Sequence, residues 1–392
     1  MSDVPPERLR VLAVIASSGI GGAEQAFLSV LKGLDRRRFD VWVACHGAGP
    51  LLADYRRHAT GVSSLDLLNI FNLRTVIELA RLMRQVRCQM VLSSMWTADV
   101  LAGLGAVVAG VPLRVSTVQG EHFHVDGVRG LRRIRRTMLS YGFRGIYRAF
   151  DHVIAVSQSM ADDLATRQGL RVDRARITVI HNGIELPGSQ RPSDGVTKEQ
   201  LGVPSRAPLV MTVANFLPNK GHQWLIHAMP EVLARAPEAV FALVGDGPER
   251  PKIARWIDQA GVGSRVRLLG SRSDACALMA VSDVVVIPSA WAEGTPLAIM
   301  EALALGKPVV STRLGGIPEI LEDGRNGLLV PPRDSQALAK AILRLLLDPE
   351  FAAGLGKAGQ QTAQTRFTDQ RMVQRTQALY LQLAGRRGLG VA

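Results

Sequence analysis

Short apolar runs alternate with amphipathic stretches along almost the whole chain, and this alternation constrains the fold more than any other feature. Short apolar runs predict buried strands, and apolar residues at helical spacing predict helices that cover a sheet. Strands that alternate with helices form parallel sheets, so the sequence predicts an α/β fold. The predicted strands fall in two series, at residues 9–16, 41–45, 90–93, 113–117 and 153–156, and then at 209–213, 240–244, 266–269, 284–287 and 308–311.

Two series of strands in a chain of 392 residues predict two domains, because this length exceeds one ordinary core. We place an N-terminal Rossmann-like domain at 1–187, a linker rich in Gly, Pro and Ser at 188–205, and a C-terminal Rossmann-like domain at 206–367. Helical periodicity in the last segment, 368–392, predicts a terminal helix. We expect the two domains to face each other across a cleft.

The composition is that of a well-packed protein, with 47% hydrophobic and 21% charged residues. The three cysteines, Cys45, Cys88 and Cys276, lie far apart and outside any His/Cys cluster. This spacing argues against a disulfide framework or a zinc site and favours a reducing compartment. The longest apolar stretch, 100–111, is about half a membrane span, so we expect no transmembrane helix, and the apolar run 9–16 is too short for a secretion signal.

The net charge of +13 is concentrated in one segment. No acidic residue falls between 127 and 150, and the arginines there are Arg129, Arg132, Arg133, Arg135, Arg136, Arg144 and Arg148. A helix over 131–141 would have one apolar stripe and arginines over much of its remaining surface. This pattern is typical of a helix that binds an anionic membrane surface, and equally of a solvated helix packed on its own domain. Nucleic acid is less favoured as a partner, because no series of stacking aromatic residues accompanies the charge.

The segment 289–308 contains the pattern that points most directly to chemistry, Glu293-Gly294-Thr295-Pro296 followed by Glu301. It follows the predicted strand 284–287, so it lies where open α/β sheets bind ligands, at the carboxyl end of a parallel strand. Thr295 suits the cap of a helix, Pro296 its first residue and Gly306 its end. A glycine before a helix start exposes backbone N–H groups at the positive end of the helix dipole, which predicts an anion site suited to a diphosphate.

Glu301 is the unexpected residue in this segment, because its neighbours on the predicted helix are apolar on nearly every side. A buried carboxylate costs several kcal/mol unless it is paired or hydrogen-bonded. The residues alone leave two interpretations open. Either the carboxylate accepts hydrogen bonds from ligand hydroxyls such as a ribose diol, or it forms a structural ion pair with Lys307 or Arg313.

The order and spacing of several short motifs resemble those of the family-4 retaining glycosyltransferases, also called glycosyl transferases group 1, which have the two-domain GT-B fold. The likeness covers most of the chain and includes GGAE at 21–24, VS at 156–157, IHNGI at 180–184, KGH at 220–222, VGDGPE at 244–249, the Glu-x7-Glu pair at 293 and 301, GGIPE at 315–319 and NGLLV at 326–330. Each motif alone is weak, but their order and spacing together are specific. The resemblance implies a GT-B fold whose C-terminal helix crosses back to the N-terminal domain.

The resemblance also implies a role for individual residues of the C-terminal domain. Glu301 would hold the ribose of the donor nucleotide, and Glu293 would contact sugar hydroxyls near the reacting carbon. Lys220 would neutralise the diphosphate leaving group, on which negative charge develops. The other donor-binding residues that it implies are Gly21, Gly22, Asn215, Arg272, Gly294, Thr295, Pro296 and Leu297.

The chain departs from the family pattern at two positions. The arginine that usually precedes Lys220 is absent, so Asn215 offers a hydrogen bond to phosphate but no charge. The histidine that usually lines the site near the sugar is Gln119 here, and His122 is the nearest substitute. We therefore include His122 with Glu293 and Lys220 as candidate catalytic residues.

The glycine loop after the first predicted strand argues against one class of enzyme. Gly21 and Gly22 lie between a strand and a helix, as in a dinucleotide-binding loop, but Glu24 replaces the third glycine. An NAD or FAD enzyme is therefore not expected. In the family this loop approaches the donor phosphate and the acceptor, and a turn that binds nothing is the alternative.

The resemblance implies a retaining glycosyltransferase that moves a hexose-type sugar from a UDP- or GDP-sugar to a glycan or lipid-linked acceptor, in cell-surface polysaccharide or glycolipid synthesis. We expect no metal or organic cofactor, the nucleoside diphosphate sugar being a co-substrate. A nucleotide-sugar epimerase of the same fold and a catalytically silent nucleotide-sugar-binding subunit are the alternatives. The expected location is the cytoplasm, with peripheral attachment to the inner face of the plasma membrane if the segment 129–148 binds anionic lipid.

Overall fold

A computed structural model of the protein describes residues 8–120, 145–166, 171–187, 195–291 and 293–389. The chain divides into two compact units: unit 1 comprises Met1–Gly183 and Asp369–Ala392, and unit 2 comprises Ile184–Thr368. Each unit contains one sheet, and all the paired strands of both sheets are parallel. The prediction of two Rossmann-like α/β domains is therefore confirmed.

Unit 1 is built on seven strands: β1 (Leu9–Ile15), β2 (Phe39–Cys45), β3 (Gly61–Ser64), β4 (Met90–Ser94), β5 (Leu113–Val118), β6 (His152–Ala155) and β7 (Ile177–Val179). Their order across the sheet is β3-β2-β1-β4-β5-β6-β7. The connecting helices with described bounds are α1 (Gly22–Gly33), α2 (Leu52–His58), α3 (Leu73–Gln85), α4 (Trp96–Ala109) and α5 (Gln158–Thr166). Strand order reverses between β1 and β4, which is the topological switch point of a doubly wound sheet.

Unit 2 is built on six strands: β8 (Leu209–Val213), β9 (Val240–Val244), β10 (Val266–Gly270), β11 (Val284–Ile287), β12 (Val309–Thr312) and β13 (Leu328–Val330). Their order is β10-β9-β8-β11-β12-β13, so the switch point of this sheet lies between β8 and β11. The helices are α6 (His222–Arg235), α7 (Arg250–Gln259), α8 (Ala275–Ala280), α9 (Leu297–Ala304), α10 (Ile317–Ile320), α11 (Ser335–Leu347) and α12 (Pro349–Arg366).

The central strands are the ones that the sequence predicts best. Every residue of β4, β6, β9, β11 and β12 is buried, because helices cover both faces of a parallel sheet. The sequence does not predict β3 or β7, the two edge strands of unit 1, or β13, an edge strand of unit 2. None of the residues of β3 and β7 is fully buried, as is common for edge strands. The strand β13 is buried and apolar but has only three residues, which is too short a run to predict a strand.

The last helix, α13 (Asp369–Arg386), belongs to unit 1 although it follows unit 2 in sequence. It packs on α1 so closely that a Cβ on Gly33 would lie 2.7 Å from Val373 Cγ1. The backbone N–H of Asp35 also donates to Gln377 Oε1 at 2.9 Å. The predicted return of the C-terminal helix to the first domain is therefore confirmed.

The longest apolar stretch of the sequence, 100–111, lies mostly in α4, whose buried residues include Val100, Leu101, Ala102 and Ala106. Packing within unit 1 explains these residues, whereas Leu104, Val107 and Val108 of the same stretch are exposed. No helix in the described ranges combines the length and apolar character that crossing a membrane requires. The thiols of Cys45, Cys88 and Cys276 are all free.

Candidate functional site

The loops that follow β8 and β11 meet at the switch point of the unit 2 sheet. Ligands of doubly wound sheets bind outside the carboxyl ends of the strands at this point. The β8 loop carries Lys220 and the β11 loop carries Glu293, 73 residues further along the chain. The topology therefore brings together two of the three residues that the sequence analysis names as candidate catalytic groups.

Lys220 and Glu293 form a short ion pair, with 2.6 Å between Lys220 Nζ and Glu293 Oε1. Ser289 Oγ donates a second hydrogen bond to the same carboxylate oxygen at 2.7 Å. The Glu293 side chain is only 6% exposed and that of Lys220 is 23% exposed. A carboxylate without partners would be costly at this depth, so the lysine and the serine together offset the burial of Glu293 and hold its side chain in a single orientation.

A close approach of two backbones holds the two loops in register. Gly221 has φ +70°, and a Cβ at this position would lie 1.9 Å from the Pro288 carbonyl oxygen. The backbone N–H of Ala290 donates to the Asn219 carbonyl at 2.8 Å, on the other side of Lys220. Only glycine satisfies both the left-handed conformation and the contact, so Gly221 fixes where Lys220 lies relative to the β11 loop.

A second glycine supports the backbone of Glu293 from the β12 side. Gly315 has φ +53°, and a Cβ there would lie 2.0 Å from the Glu293 carbonyl oxygen. The N–H of Gly316 donates to the same oxygen at 3.3 Å. The motif at 315–319 therefore helps to position the first glutamate of the Glu-x7-Glu pair.

Helix α9 begins at Leu297, one residue later than the sequence predicts. The interpretation of Thr295 as its cap and Pro296 as its first residue is wrong. Pro296 occupies the cap position with ψ 120°, and Thr295 Oγ1 is buried without a hydrogen-bond partner among the described residues. The predicted end is confirmed, since Gly306, with φ +68°, follows the last turn and the N–H of Lys307 donates to the Ala302 carbonyl at 2.9 Å.

Glu301 lies on α9 without an ion pair or hydrogen bond to its carboxylate in the described part of the chain. Both cations considered as partners are engaged elsewhere. Lys307 Nζ donates to the Ser282 carbonyl at 2.9 Å, and Arg313 Nη2 lies 3.0 Å from Asp323 Oδ2. Burial raises the pKa of Glu301 above its ordinary value. The ion pair with Lys307 or Arg313 is therefore not formed, and the interpretation that the carboxylate binds ligand hydroxyls stays a prediction.

The other residues of unit 2 that were assigned to the donor differ in their surroundings. Asn215 is exposed, and its backbone carbonyl accepts a hydrogen bond from the backbone N–H of Leu217 at 2.8 Å. Arg272 forms a two-pronged ion pair with Asp274, with Nε 2.7 Å and Nη2 2.5 Å from the carboxylate oxygens. Gly294 is buried directly after Glu293, so the turn from strand to helix is tightly enclosed.

In unit 1, the glycine loop follows β1 at the corresponding switch point. Gly21 caps α1 and Gly22 is its first residue. The Glu24 side chain turns back to this loop, where Ser17 Oγ donates to its Oε1 at 2.5 Å. A Cβ on Gly21 would lie 2.4 Å from Glu24 Oε2, so the glycine makes room for a buried carboxylate.

Gln119, which stands where the family usually has histidine, accepts a hydrogen bond from Asn182 Nδ2 at 2.9 Å. His122, which was taken as its substitute, lies outside the described residues. The same holds for all the arginines of the segment 129–148 except Arg148.

No role is predicted from the sequence for Ser289 or for a buried cluster around Asp99. Ser289 stands four residues before Glu293, but neither residue lies in a helix, so this spacing alone does not indicate their contact. Asp99 accepts hydrogen bonds from Ser93 Oγ at 2.5 Å, Ser116 Oγ at 2.9 Å and Tyr147 OH at 2.9 Å. Burial raises the pKa of Asp99 to about 6, although the three hydroxyls lower it. No local pattern marks this cluster, because its members come from four separate elements.

Two family models match most of the chain. Residues 20–186 match the model described as Glycosyltransferase Family 4, and residues 207–348 match the one described as Glycosyl transferases group 1. The first match lies in unit 1 except for its last three residues, 184–186, which belong to unit 2. The second match lies entirely in unit 2. The second model includes Lys220, Glu293 and Glu301, so the site described above lies within it.

Curated relatives and solved structures agree with these models. The lipopolysaccharide core biosynthesis glycosyltransferase LpsE of Rhizobium meliloti is 35% identical over 173 residues, which cover 44% of this chain and 49% of that relative. The UDP-Gal:alpha-D-GlcNAc-diphosphoundecaprenol alpha-1,3-galactosyltransferase of Escherichia coli is 26% identical over 84% of this chain and 86% of its own.

The crystal structure of Anabaena HepE in complex with UDP-glucose superposes on 95% of this chain and 99% of its own, with a TM-score of 0.81 and 25% identity. The expected GT-B fold is therefore confirmed by a neighbour that matches over nearly its whole length. Together with the family models, which cover both units, this shows that the chain belongs to the group 1, family 4 glycosyltransferases.

Proposed function

We propose that this chain is a retaining glycosyltransferase that moves a hexose from a nucleoside diphosphate donor, with UDP favoured over GDP, to a glycan or lipid-linked acceptor. Unit 2 binds the donor and unit 1 binds the acceptor. The reaction serves the synthesis of a cell-surface polysaccharide or glycolipid.

The observation that carries this proposal is the Lys220–Glu293 pair at the switch point of unit 2, with 2.6 Å between Nζ and Oε1. Departure of a nucleoside diphosphate places negative charge on the phosphate, and a preorganised cation stabilises it. Glu293 holds the lysine there before the donor arrives. When the diphosphate binds, Lys220 moves part of its interaction to phosphate, and Glu293 becomes free to accept hydrogen bonds from sugar hydroxyls.

Glu301 supports the proposal from the nucleotide side of the site. Glu301 is half-buried and its carboxylate has no partner among the described residues, so its partial burial carries a desolvation cost that no described side chain offsets. The two hydroxyls of a ribose are donors that would satisfy both of its oxygens. This accounts for a half-buried acid that the packing of α9 does not require.

The comparisons support the finer parts of the proposal. HepE was crystallised with UDP-glucose, and the E. coli relative is named for a UDP-sugar donor, a diphosphoundecaprenol acceptor and an alpha-linked product. The common UDP-hexoses are themselves alpha-linked, so an alpha product means retention. We therefore propose a front-face displacement in which the leaving phosphate helps to deprotonate the acceptor, without a metal or organic cofactor.

Incubation of the purified chain with radiolabelled UDP-glucose, UDP-galactose, UDP-N-acetylglucosamine or GDP-mannose tests this function. We expect one of these donors to release its nucleoside diphosphate slowly in water, and faster when an acceptor is present. Isomerised nucleotide sugar would instead identify an epimerase. Donor binding without any turnover would identify a catalytically silent subunit, and the absence of binding to every donor would reject the proposal.

A further inference from the structure

Unit 2 contains a cavity of about 350 Å³ that the donor-binding residues do not explain. Three of the five tryptophans of the chain line it, Trp224, Trp256 and Trp291. Trp224 and Trp256 are half-buried, since each packs partly against the unit 2 core. The volume is at the lower end of the range for small-molecule sites, so it suits one or a few small rings.

The cavity is lined by residues of both loops that carry the Lys220–Glu293 pair. Gly221 and His222, which line the cavity, follow Lys220 directly. Trp291 lines it from the other loop, two residues before Glu293. Neither Glu301 nor Thr295 is among the described residues that line it, so the cavity is separate from the expected nucleotide site.

Charged groups of both signs accompany the three indoles. Arg333 lies over the Trp291 ring, with 5.1 Å from its Cζ to the ring centroid. Its backbone has φ +63°, a conformation that is uncommon for a residue with a side chain and that is retained mainly at functional positions. Lys252 and Glu249 form an ion pair of 2.7 Å and also line the cavity.

His222 adds a polar group with unused hydrogen-bonding capacity. Its residue is only 2% exposed, and neither ring nitrogen has a partner in the described part of the chain. Its ring packs edge-on against Phe216, with 4.9 Å between centroids. Burial, with a further contribution from Lys220, lowers the pKa of His222 to about 4, so the ring is neutral near pH 7 and offers one donor and one acceptor.

This combination fits a carbohydrate better than other ligands of similar size. A pyranose has an apolar face of C–H groups, which packs on the electron-rich face of an indole, and a rim of hydroxyls that both donate and accept hydrogen bonds. Glu249 supplies an acceptor, and Lys252 and Arg333 supply donors. A purely apolar ligand would use none of these charged groups, and a simple anion would not need three indoles.

We propose that this unit 2 cavity is a second carbohydrate site, which binds a further pyranose ring of a glycan acceptor whose reacting sugar is held by unit 1. The proposal rests on the proposed function for the identity of the glycan as acceptor, but the binding of a sugar in the cavity does not depend on it. Occupancy would press on the loops of both Lys220 and Glu293, so a bound acceptor would also stabilise the arrangement of the catalytic pair.

Ligand-observed NMR titration of the full chain tests the site with three soluble probes: maltotriose as a neutral glycan, chitotriose as an N-acetylated one and trigalacturonate as an acidic one. We expect at least one probe to bind with a Kd below about 10 mM. Two substitutions should each weaken that binding about tenfold, Trp256→Ala and Arg333→Gly. Because glycine accepts a positive φ, Arg333→Gly keeps the fold and removes only the side chain.

Arg344→Ala is the matched control, since Arg344 also stacks on an aromatic ring of unit 2, that of Phe351, but does not line the cavity. The Arg344→Ala variant should bind the same probe with the Kd of the wild type. Failure of all three probes to bind, or equal binding by the cavity variants and the wild type, would overturn the proposal. UDP binding is measured in the same samples, so a chain that binds glycans but no nucleotide sugar would reject the proposed function and leave the carbohydrate site standing.

Discussion

Lys220 Nζ lies 2.6 Å from Glu293 Oε1, although 73 residues separate the two in the chain. The contact joins the β8 loop to the β11 loop across the switch point of the unit 2 sheet. The carboxylate is almost fully enclosed, so its charge depends on the lysine and on Ser289 for compensation. The Lys220–Glu293 pair therefore stabilises the free protein. In the reaction, as we propose, Lys220 also neutralises the charge of the leaving diphosphate.

Removing one partner of the Lys220–Glu293 pair should lower the free energy of unfolding more than removing both. Lys220→Ala leaves a buried carboxylate unpaired, so we expect the free energy of unfolding to fall by about 2–3 kcal/mol. Adding Glu293→Gln to that variant should restore part of the loss, because the remaining group is neutral. Urea denaturation of the wild type, both single variants and the double variant measures this coupling.

Arg325→Ala is the control for this cycle, because Arg325 pairs with Glu322 at an exposed surface. Its effect should stay below about 0.5 kcal/mol. All variants that lack Lys220 should lose transfer activity by roughly 100-fold or more, including the double variant with restored stability. Wild-type turnover in the double variant would contradict the role given to the lysine.

Gly221 offers a test of how the two loops are held together. Gly221→Ala combines a left-handed backbone with a Cβ 1.9 Å from the Pro288 carbonyl oxygen, so we expect a loss of roughly 3 kcal/mol or more in the free energy of unfolding. Gly261→Ala is matched to it, since Gly261 has φ +68° but nothing within 4 Å of its Cβ position. That control should lose only about 1 kcal/mol. If Gly221→Ala and Gly261→Ala lowered the free energy of unfolding equally in denaturation experiments, the close contact between Gly221 and Pro288 would contribute nothing to stability.

The sequence predicted most of the fold because buried parallel strands are apolar runs in any context. The strands β8, β9 and β11 have the bounds that the apolar runs predict, whereas the edge strands β3 and β7 lack such runs. The pairing of Lys220 with Glu293 was not predictable from local spacing. It depends on strand order and on the left-handed turn at Gly221, which brings two distant loops into contact.

The cluster around Asp99 should make stability depend on pH in a direction opposite to that of a salt-bridged acid. Its pKa is raised to about 6 by burial, so folding favours the protonated form. Stability from this group is present at low pH and is lost as the pH rises through 6. Relative to Asp99→Asn, whose side chain does not ionise, the wild type should lose about 2.4 kcal/mol of unfolding free energy between pH 4 and pH 7.

Urea denaturation of both proteins at several pH values in this range measures the effect, and the difference between them removes the titration of all other groups. Asp162→Asn serves as a control, because Asp162 is an exposed acid that pairs with Arg174 on the surface of the same unit. A difference between wild type and Asp99→Asn that stays constant from pH 4 to pH 7 would show that folding does not raise the pKa of Asp99.

Glu301→Gln should separate binding from stability. Burial raises the pKa of Glu301, so the ionised carboxylate disfavours the folded state and its cost grows as the pH rises above the ordinary range of a glutamate. The neutral amide removes this cost, and we expect the variant to be at least as stable as the wild type at neutral pH. Its affinity for the donor should nevertheless fall by roughly 10- to 100-fold, because a charged acceptor for the ribose hydroxyls is lost.

Calorimetric titration with UDP and urea denaturation of the same samples measure the two effects together. Glu238→Gln is the control, since Glu238 is an exposed acid of unit 2 whose partner Arg265 is also at the surface. A loss of stability without a loss of UDP affinity in Glu301→Gln would return Glu301 to a structural role. If Glu301 binds the ligand, Glu301→Gln should bind UDP more weakly while its free energy of unfolding is no lower than that of the wild type. The reason is that the charge of Glu301 stabilises the complex with the ligand and not the free protein.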